Sequence, residues 1–278
     1  MRSVEYLAYL RSKYGIRPRR RLGQHFMVDD NILEFMVEAA EVREDDIVLE
    51  IGPGPGLLTR YLMTRAGQVI AVELDGRMVE ILKRELGEAP NLEIVRADFL
   101  EYDVPDDVNK VVANIPYNIS SPITFKLLEL DIDVAVLTYQ REFAERMVAE
   151  PGSKKYSRLT VMVNLLADVE LLRGVPRRAF IPPPRVGSSV VRLTPKSEEE
   201  RPDVDPDTLE SVCRALFQHK NKTVRNALLL SAHEWATDRE QAREVLEELP
   251  EDLLSERPLH LPPERVAELA AAIESALG

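Results

Sequence analysis

The sequence from residue 47 to residue 56 is Ile47-Val48-Leu49-Glu50-Ile51-Gly52-Pro53-Gly54-Pro55-Gly56. A short, mainly apolar run that ends in glycine and proline is typical of a buried strand followed by a tight turn. A helical pattern follows at residues 57–62, and a second apolar run follows at residues 69–74. This order of strand, turn, helix and strand predicts an α/β fold with a parallel sheet.

The glycine turn indicates a nucleoside cofactor at the end of the first strand. The turn has the spacing G-x-G-x-G from Gly52 to Gly56, and Leu57 stands where the dinucleotide fingerprint G-x-G-x-x-G has its last glycine. That fingerprint places a pyrophosphate on a helix terminus, whereas the tighter turn here suits a cofactor without phosphate. Glu73, at the end of the second strand, is in position to accept both hydroxyls of a ribose. The pattern favours S-adenosylmethionine over NAD.

Asp98 follows the third predicted strand, residues 92–96, and precedes Phe99. Its carboxylate is placed either to accept a hydrogen bond from an adenine amino group or to cap a short helix. We expect the ligand role because three successive strand ends then carry polar groups, at the edge where open parallel sheets bind ligands.

The stretch Asn114-Ile115-Pro116-Tyr117 follows a fourth apolar run at residues 110–113. The Asn114 side-chain oxygen and the carbonyl before Pro116 can accept the two N–H groups of an adenine amine, which makes its nitrogen more nucleophilic. Tyr117 offers a flat face on which the base can stack. The alternative is an ordinary turn at the end of a strand. Next to the cofactor pattern, we interpret the stretch as a site of adenine methylation.

A proline loop, residues 180–185, lies between two later predicted strands at residues 169–172 and 186–193. Because proline restricts the backbone, the loop can hold Phe180 against the opposite face of a base stacked on Tyr117. Packing of Phe180 as an apolar plug beneath the loop is the open alternative.

Composition excludes several classes of protein. With 278 residues, of which 45% are hydrophobic and 30% charged, the chain has the composition of a globular protein of about two domains. Cys213 is the only cysteine, which excludes an internal disulfide and a zinc site built from cysteines. The histidines are scattered, so we expect no metal and assign His25 to hydrogen bonding or packing. With no apolar run near the ~18 residues of a membrane span and no signal-peptide core, we expect a cytoplasmic protein.

A charged stretch with nearby prolines at residues 196–203 marks a domain boundary, and only helical patterns follow it. We expect an α/β domain over residues 1–196, a linker over 197–204 and a small helical domain over 205–278. The net charge of −12 argues weakly against nucleic acid as a binding partner. The acidic chain nevertheless contains short segments rich in arginine and lysine, which we call basic islands. Each island is either a solvated face or part of an RNA-binding surface. We interpret them as an RNA footprint made of Arg19, Arg20, Arg21, Arg185, Lys220, Lys222 and Arg225.

Taken together, these motifs resemble those of the ribosomal RNA adenine dimethyltransferases, the KsgA-type family that modifies small-subunit rRNA. The matching stretches occur in family order and cover nearly the whole chain: residues 23–27, 50–56, 73–75, 97–98, 114–118, 140–146, 180–191 and 222–226. Met27 stands where leucine is usual in the family, and histidine at position 25 leans toward archaeal or eukaryotic members.

The resemblance implies a Rossmann-like, seven-stranded class I methyltransferase domain with a small all-α C-terminal domain. It implies S-adenosylmethionine as the donor, small-subunit rRNA or the small ribosomal subunit as the partner, and dimethylation of N6 on two adjacent adenosines near the rRNA 3′ end. The segment 1–29 then contacts RNA and cofactor, and the helical domain binds RNA. The implied cofactor residues are His25, Met27, Gly52, Gly54, Glu73, Asp98 and Asn114. The implied base pocket consists of Asn114, Pro116, Tyr117 and Phe180. We expect a monomer that takes part in small-subunit biogenesis.

Three other functions fit part of the pattern. An erythromycin-resistance-type methyltransferase of large-subunit rRNA shares the motifs, but the stretch 222–226 argues against it. A non-catalytic rRNA-binding assembly factor would keep the cleft without the reaction, but the intact Glu73, Asp98 and Asn114 oppose that interpretation. An NAD-dependent oxidoreductase is disfavoured by the glycine spacing.

Overall fold

The computed structural model describes residues 1–19 and 22–278. The strands of this part of the chain are β1 (Phe26–Met27), β2 (Ile47–Ile51), β3 (Gln68–Glu73), β4 (Leu92–Arg96), β5 (Lys110–Ala113), β6 (Val134–Gln140), β7 (Ala167–Val175), β8 (Phe180–Ile181) and β9 (Ser188–Pro195). Its α-helices are α1 (Ser3–Tyr14), α2 (Asp30–Ala39), α3 (Thr59–Leu62), α4 (Gly76–Glu85), α5 (Ser120–Leu128), α6 (Arg141–Met147), α7 (Arg158–Leu166), α8 (Pro206–Gln218), α9 (Val224–Leu230), α10 (Arg239–Glu248), α11 (Glu251–Ser255) and α12 (Pro263–Leu277).

A seven-stranded mixed sheet has the order β4-β3-β2-β5-β6-β9-β7, which confirms the predicted number of strands. β2 pairs in parallel with β3 on one side and with β5 on the other, so that Leu49 lies opposite Ile70 and Val111. From β2 the chain proceeds outward to β3 and β4, and then returns to β5 on the other side. The carboxyl ends of β2 and β5 therefore border the crevice in which open α/β sheets bind ligands.

The central strands β2 and β5 are mainly apolar, and their apolar side chains are buried. Val48, Leu49, Val111 and Val112 are fully buried. Strands that are buried on both faces are continuous hydrophobic runs rather than alternating ones. Because the strands are held in place by this burial, the positions of their ends are also fixed. The polar residues that follow each strand are fixed in position with them.

A separate two-stranded antiparallel sheet includes the start of the proline loop, where the sequence predicts no strand. β1 pairs with β8, with Phe26 opposite Ile181 and Met27 opposite Phe180. A two-residue strand is too short to show the alternation by which strands are predicted. The pairing ties the segment before α2 to the proline loop.

The chain forms two compact units, the first from residues 1–144 and 169–195 and the second from residues 145–168 and 196–278. This division differs from the expected one, which assigns all of residues 1–196 to the first domain. Residues 145–168 contain α7, which packs against α8 and α12. The helix has apolar side chains on most of its faces, so it has to be buried on several sides, and the helices that cover it lie far along the chain.

The second unit is helical around a buried core. The Trp235 indole N–H donates to the Leu228 carbonyl, 3.0 Å away, between α9 and α10. Cys213 is fully buried in α8, and burial raises the pKa of its thiol to about 12. Among the described residues, no helix combines the length and the hydropathy needed to cross a bilayer.

Candidate active site

A cavity in the first unit opens at the carboxyl ends of β2, β3, β4 and β5. Residues that follow these four strands line it together: Gly52, Gly54, Glu73, Asp98 and Asn114. His25, Met27, Pro116 and Tyr117 line the same cavity. The structure thus brings together nearly all the cofactor and base-pocket residues that the sequence predicts, since parallel strands end at one edge of the sheet.

Gly54 closes the turn after β2 and requires the absence of a side chain. Its φ is 57°, in the left-handed region, and an added Cβ would lie 3.1 Å from Cε1 of Phe26. Its backbone N–H donates to Oε2 of Glu73, 2.9 Å away. Glycine is therefore needed at this position, because its backbone is left-handed and there is no room for a side chain. Its N–H also holds the carboxylate of Glu73, at the end of β3, in place.

Glu73 is a buried carboxylate with two backbone hydrogen bonds. Besides the bond from Gly54, its Oε1 accepts from the backbone N–H of Asp75 at 2.7 Å. Burial raises the pKa of Glu73, against the opposing effect of these two bonds. Each carboxylate oxygen keeps a free acceptor position, which is what recognition of two ribose hydroxyls requires.

Glu50 is a site residue that the sequence analysis treats only as part of a strand. It lines the cavity, is 2% exposed, and its Oε2 has no hydrogen-bond partner among the described residues. Burial, with a contribution from nearby Glu73, raises the pKa of Glu50 to about 8. A buried carboxyl with an unused oxygen can accept a hydrogen bond from a cationic group of a ligand. An acid inside an apolar strand is the sequence signal that points to it.

Asp98 caps a short helix and also lies in the wall of the cavity. It lines the cavity, and its Oδ1 accepts from the backbone N–H of Leu100 at 3.0 Å, which caps the following turn. Lys126 from α5 holds the same turn, because its ammonium donates to the carbonyls of Phe99, Leu100 and Tyr102 at 2.8, 3.2 and 2.7 Å. Lys126 is thus a positioning residue that motif analysis does not find.

The Asn114 side chain has a fixed orientation. Its Nδ2 donates to the backbone carbonyl of His25 at 2.9 Å, and its Oδ1 accepts from the hydroxyl of Thr138 at 2.5 Å. Thr138 is fully buried in β6. An amide oxygen accepts two hydrogen bonds, so one acceptor position of Oδ1 remains for a substrate amine.

His25 and Tyr117 are held next to each other. Nδ1 of His25 lies 2.8 Å from the Pro182 carbonyl, which only accepts, so Nδ1 carries the hydrogen and Nε2 of a neutral ring is an acceptor. The two rings are nearly parallel, with centroids 6.0 Å apart. The Tyr117 hydroxyl is hydrogen-bonded to Ser188 at 2.5 Å, and burial raises the pKa of Tyr117 to about 12. The hydroxyl therefore anchors the ring in its neutral form.

Phe180 is not among the described residues that line the cavity. It is 1% exposed and belongs to the hydrophobic core beneath the β1–β8 pair. This placement differs from the expected position against a target base and matches the alternative of an apolar plug. A phenyl ring at the start of a stiff loop gains most from burial, which favours the core over a solvent-facing pocket.

A sequence model of the family described as "Ribosomal RNA adenine dimethylase" matches residues 15–256. The chain belongs to this family. Membership removes the oxidoreductase alternative and places the cavity and the helical second unit within a known architecture.

Curated relatives and solved structures agree with the family. The "Probable ribosomal RNA small subunit methyltransferase A" of Thermococcus gammatolerans is 48% identical over 257 residues, covering 92% of this chain and 90% of the relative. The protein of the same name from Methanothermobacter thermautotrophicus is 48% identical over 266 residues, covering 96% and 94%. A dimethyladenosine transferase from Plasmodium falciparum is similar in structure, with a TM-score of 0.77, 33% identity and coverage of 91% and 98%. The 23S rRNA methyltransferase ErmE has a TM-score of 0.66, 32% identity and coverage of 90% and 99%. The fold is that of a Rossmann-like methyltransferase with a helical C-terminal region.

Some basic residues of the predicted RNA footprint already pair with groups of the protein, whereas others are exposed. In the first unit, Arg19 forms an ion pair with Asp75 at 3.3 Å and Arg185 is exposed, while Arg20 and Arg21 lie outside the described residues.

In the second unit, Lys220 donates to the carbonyls of Lys154 and Tyr156 at 3.2 and 2.8 Å, so its ammonium holds the protein backbone. Arg225 pairs with Glu251 at 2.7 Å, whereas Lys222 is exposed. Lys222 is therefore the most available cation of this predicted RNA-binding segment.

Proposed function

We propose that this protein is an S-adenosylmethionine-dependent methyltransferase that dimethylates N6 of two adjacent adenosines near the 3′ end of small-subunit rRNA. The observation that carries the proposal is the amide of Asn114, fixed by hydrogen bonds at both ends, in one cavity with Glu73 and the glycine turn. The names of the relatives support small-subunit rRNA as the substrate class.

The cavity fits the proposed cofactor residue by residue. Gly54 lines the cavity without a side chain, since a Cβ there would press on the Phe26 ring. Glu73 offers two carboxylate oxygens to a ribose, and Asp98 lies at the next strand end for an adenine amino group. The unpartnered Oε2 of Glu50 provides a buried acceptor for an ammonium group. S-adenosylmethionine, when bound, supplies a methyl group on a sulfonium that an amine can attack directly.

Residues of the Asn114 stretch prepare the amine. Oδ1 of Asn114 and the carbonyl of Ile115 accept its N–H groups, which localises the nitrogen lone pair, while Tyr117 supports the ring of the base. Holding the nitrogen in line contributes several kcal/mol through proximity, on the order of that seen in oriented intramolecular reactions. Because Thr138 occupies one acceptor position of Oδ1, the amine makes a single bond to it. A monomethylated amine still has one N–H to donate, so the second transfer uses the same contact.

The proposal keeps the further expectations made from the sequence. The protein acts as a monomer in the cytoplasm, on the small ribosomal subunit or its precursor, and contributes to subunit biogenesis. The target adenosines leave their stack to enter the cavity, which favours a looped or immature rRNA substrate. The alternative of a large-subunit enzyme is weaker because ErmE has the lower TM-score of the two solved structures, 0.66 against 0.77.

The test is transfer of radiolabelled methyl groups to isolated small and large subunits from a strain lacking the modification, followed by mapping of the labelled adenosines. We expect label only in small subunits, at two adjacent adenosines, and a loss of at least about 100-fold in Asn114→Ala with cofactor binding retained. Label in large subunits would favour the resistance-type enzyme. Tight rRNA binding without methyl uptake would favour a non-catalytic assembly factor.

A further inference from the structure

A second groove in the first unit lies beside α4 and is separate from the cofactor cavity. Among the described residues, four arginines line it: Arg19, Arg77, Arg84 and Arg96. Its acidic lining residues are Asp75 and Glu80. In a chain of net charge −12, this is a local concentration of positive charge, and we call it the arginine groove.

The buried Asp75 belongs to the wall of the groove and does not neutralise its open side. Its carboxylate accepts from the backbone N–H of Arg77 at 3.1 Å and from Gln24 at 3.2 Å, and it pairs with Arg19 at 3.3 Å. Arg84 and Arg96 are exposed, and no ion pair links either of them to an acid among the described residues. Two guanidinium groups therefore remain available to an external anion.

The arginines are spread along a line rather than gathered around one point. Positions 77, 80, 81 and 84 share one face of α4, and Arg77 and Arg84 are about 10 Å apart along the helix axis. At the other end, Arg96 lies against Gly76, where an added Cβ would be 3.0 Å from its Cζ. Such spacing suits successive charges of a polyanion better than one small anion.

Tyr14 adds an aromatic side chain to the wall of the groove. Its hydroxyl is fixed by a hydrogen bond to Glu85 at 2.6 Å, and the carboxylate of Glu85 is paired with Lys13 at 2.8 Å. Nζ of Lys13 lies over the Tyr14 ring, 5.2 Å from its centroid, so a base can stack only on the face away from Lys13. Arginine forks bind phosphates in a bidentate manner. Phosphate-binding cations beside an aromatic ring are typical of surfaces that bind single-stranded nucleic acid.

We propose that the arginine groove binds the sugar–phosphate backbone of the rRNA strand that carries the target adenosines. The groove and the cofactor cavity share a wall, because Asp75 donates its backbone N–H to Glu73 and accepts from Gln24, and both of these partners line the cavity. A strand held in the groove therefore lies next to the cofactor cavity, on the side of Glu73. This inference rests on the proposed function for the identity of the RNA.

The test compares the double variant Arg84→Gln/Arg96→Gln with Arg65→Gln. Arg65 is also exposed, but it does not line the groove. The probes are naked small-subunit rRNA and intact small subunits lacking the modification, titrated over a range of salt. S-adenosylmethionine binding, measured by calorimetry, and the melting temperature show whether the variants remain folded.

We expect the double variant to bind both probes at least about tenfold more weakly and to lose ~1.4 from the slope of log affinity against log salt, as for two lost phosphate contacts. Its KM for subunits rises while kcat and cofactor affinity stay the same, and Arg65→Gln resembles the unmodified protein. The double variant Arg84→Lys/Arg96→Lys keeps the salt slope and recovers part of the affinity, because lysine retains the charge but not the fork.

Three outcomes would overturn the proposal. The first is unchanged affinity and salt slope in the double variant. The second is weaker binding to intact subunits but not to naked rRNA, which would identify a ribosomal protein as the partner. The third is an equal loss in Arg65→Gln, which would show a general effect of charge. If the unmodified protein binds rRNA but transfers no methyl groups, the proposed function fails and the groove is still decided by the binding data.

Discussion

Thr138 donates its hydroxyl hydrogen to Oδ1 of Asn114 across 2.5 Å, from the middle of a buried strand to the loop at the end of its neighbour. The bond sets which end of the amide faces the cavity, since Nδ2 then points to the His25 carbonyl. A residue outside every recognisable motif thus determines how the proposed catalytic oxygen is presented.

Replacing Thr138 by Val should lower kcat while leaving cofactor affinity almost unchanged. Valine keeps the shape of the side chain but removes the donor, so the amide of Asn114 loses one of its two anchors. We expect kcat to fall about tenfold, equivalent to roughly 1.4 kcal/mol of transition-state stabilisation. Single-turnover methyl transfer with saturating subunits measures the effect. Thr138→Ser restores the donor and should recover most of the rate; equal rates in the valine and serine variants would contradict a positioning role.

Lys126→Met should weaken cofactor binding without changing the rate at saturating cofactor. The ammonium satisfies three carbonyls of the turn that carries Asp98, and methionine keeps the apolar stem over Phe99 but cannot donate. We expect the Kd for S-adenosylmethionine to rise about tenfold, from two or three lost hydrogen bonds of ~1 kcal/mol each that are partly replaced by water. Calorimetric titration measures it, with Lys83→Met, an exposed lysine of α4, as the control. An unchanged Kd would show that the turn holds its shape without Lys126.

Glu50→Gln should change the pH dependence of stability in the cofactor-free protein. Burial raises the pKa of Glu50 from 4.5 to about 8, so the folded state binds its proton more tightly than the unfolded state. Stability of the unmodified protein therefore falls as the pH rises through this interval, because the unfolded chain ionises first. The neutral glutamine has no such dependence, so the variant should gain melting temperature relative to the unmodified protein as the pH rises from 4.5 to 8.

The same variant should bind S-adenosylmethionine more weakly, because the amide replaces a carboxyl that the proposed ammonium contact uses. Thermal melts at several pH values, with and without cofactor, separate the two effects. Parallel melting curves for the two proteins across the pH range would show that Glu50 does not titrate in this interval.

The sequence predicts the ligand-bearing residues because they lie at strand ends, where pattern and position coincide. Gly54, Glu73, Asp98 and Asn114 all follow or end apolar runs, and parallel pairing brings them to one edge. The residues that orient them are not predictable in this way. Thr138 is hidden in the apolar run of β6, and Lys126 meets the Asp98 turn only through the packing of α5.

Two predictions differ from the structure for a related reason. The motif gives Phe180 its place in the chain, but only the pairing of β1 with β8 determines that its ring faces the core. Residues 145–168 likewise lie between the two parts of the α/β unit in sequence but belong to the helical unit, because α7 is buried against α8 and α12. Contacts between residues far apart in the chain determine both placements, and such contacts cannot be predicted from the local sequence pattern.

Phe180→Ala should mainly destabilise the fold. Removing a fully buried phenyl ring leaves a cavity and lowers the free energy of unfolding by about 3–5 kcal/mol. If Phe180 instead supplied a stacking surface for the base, its loss would raise KM for subunits and leave stability nearly unchanged. Phe180→Leu conserves most of the apolar volume, so we expect it to cost less than about 1.5 kcal/mol and to keep near-normal kcat and KM. Urea unfolding and steady-state kinetics on the leucine variant separate the two roles, since that variant remains folded but lacks an aromatic face. A stable leucine variant with a strongly raised KM would show that Phe180 contributes to the base pocket. Normal kinetics would establish Phe180 as part of the core that supports the β1–β8 pair.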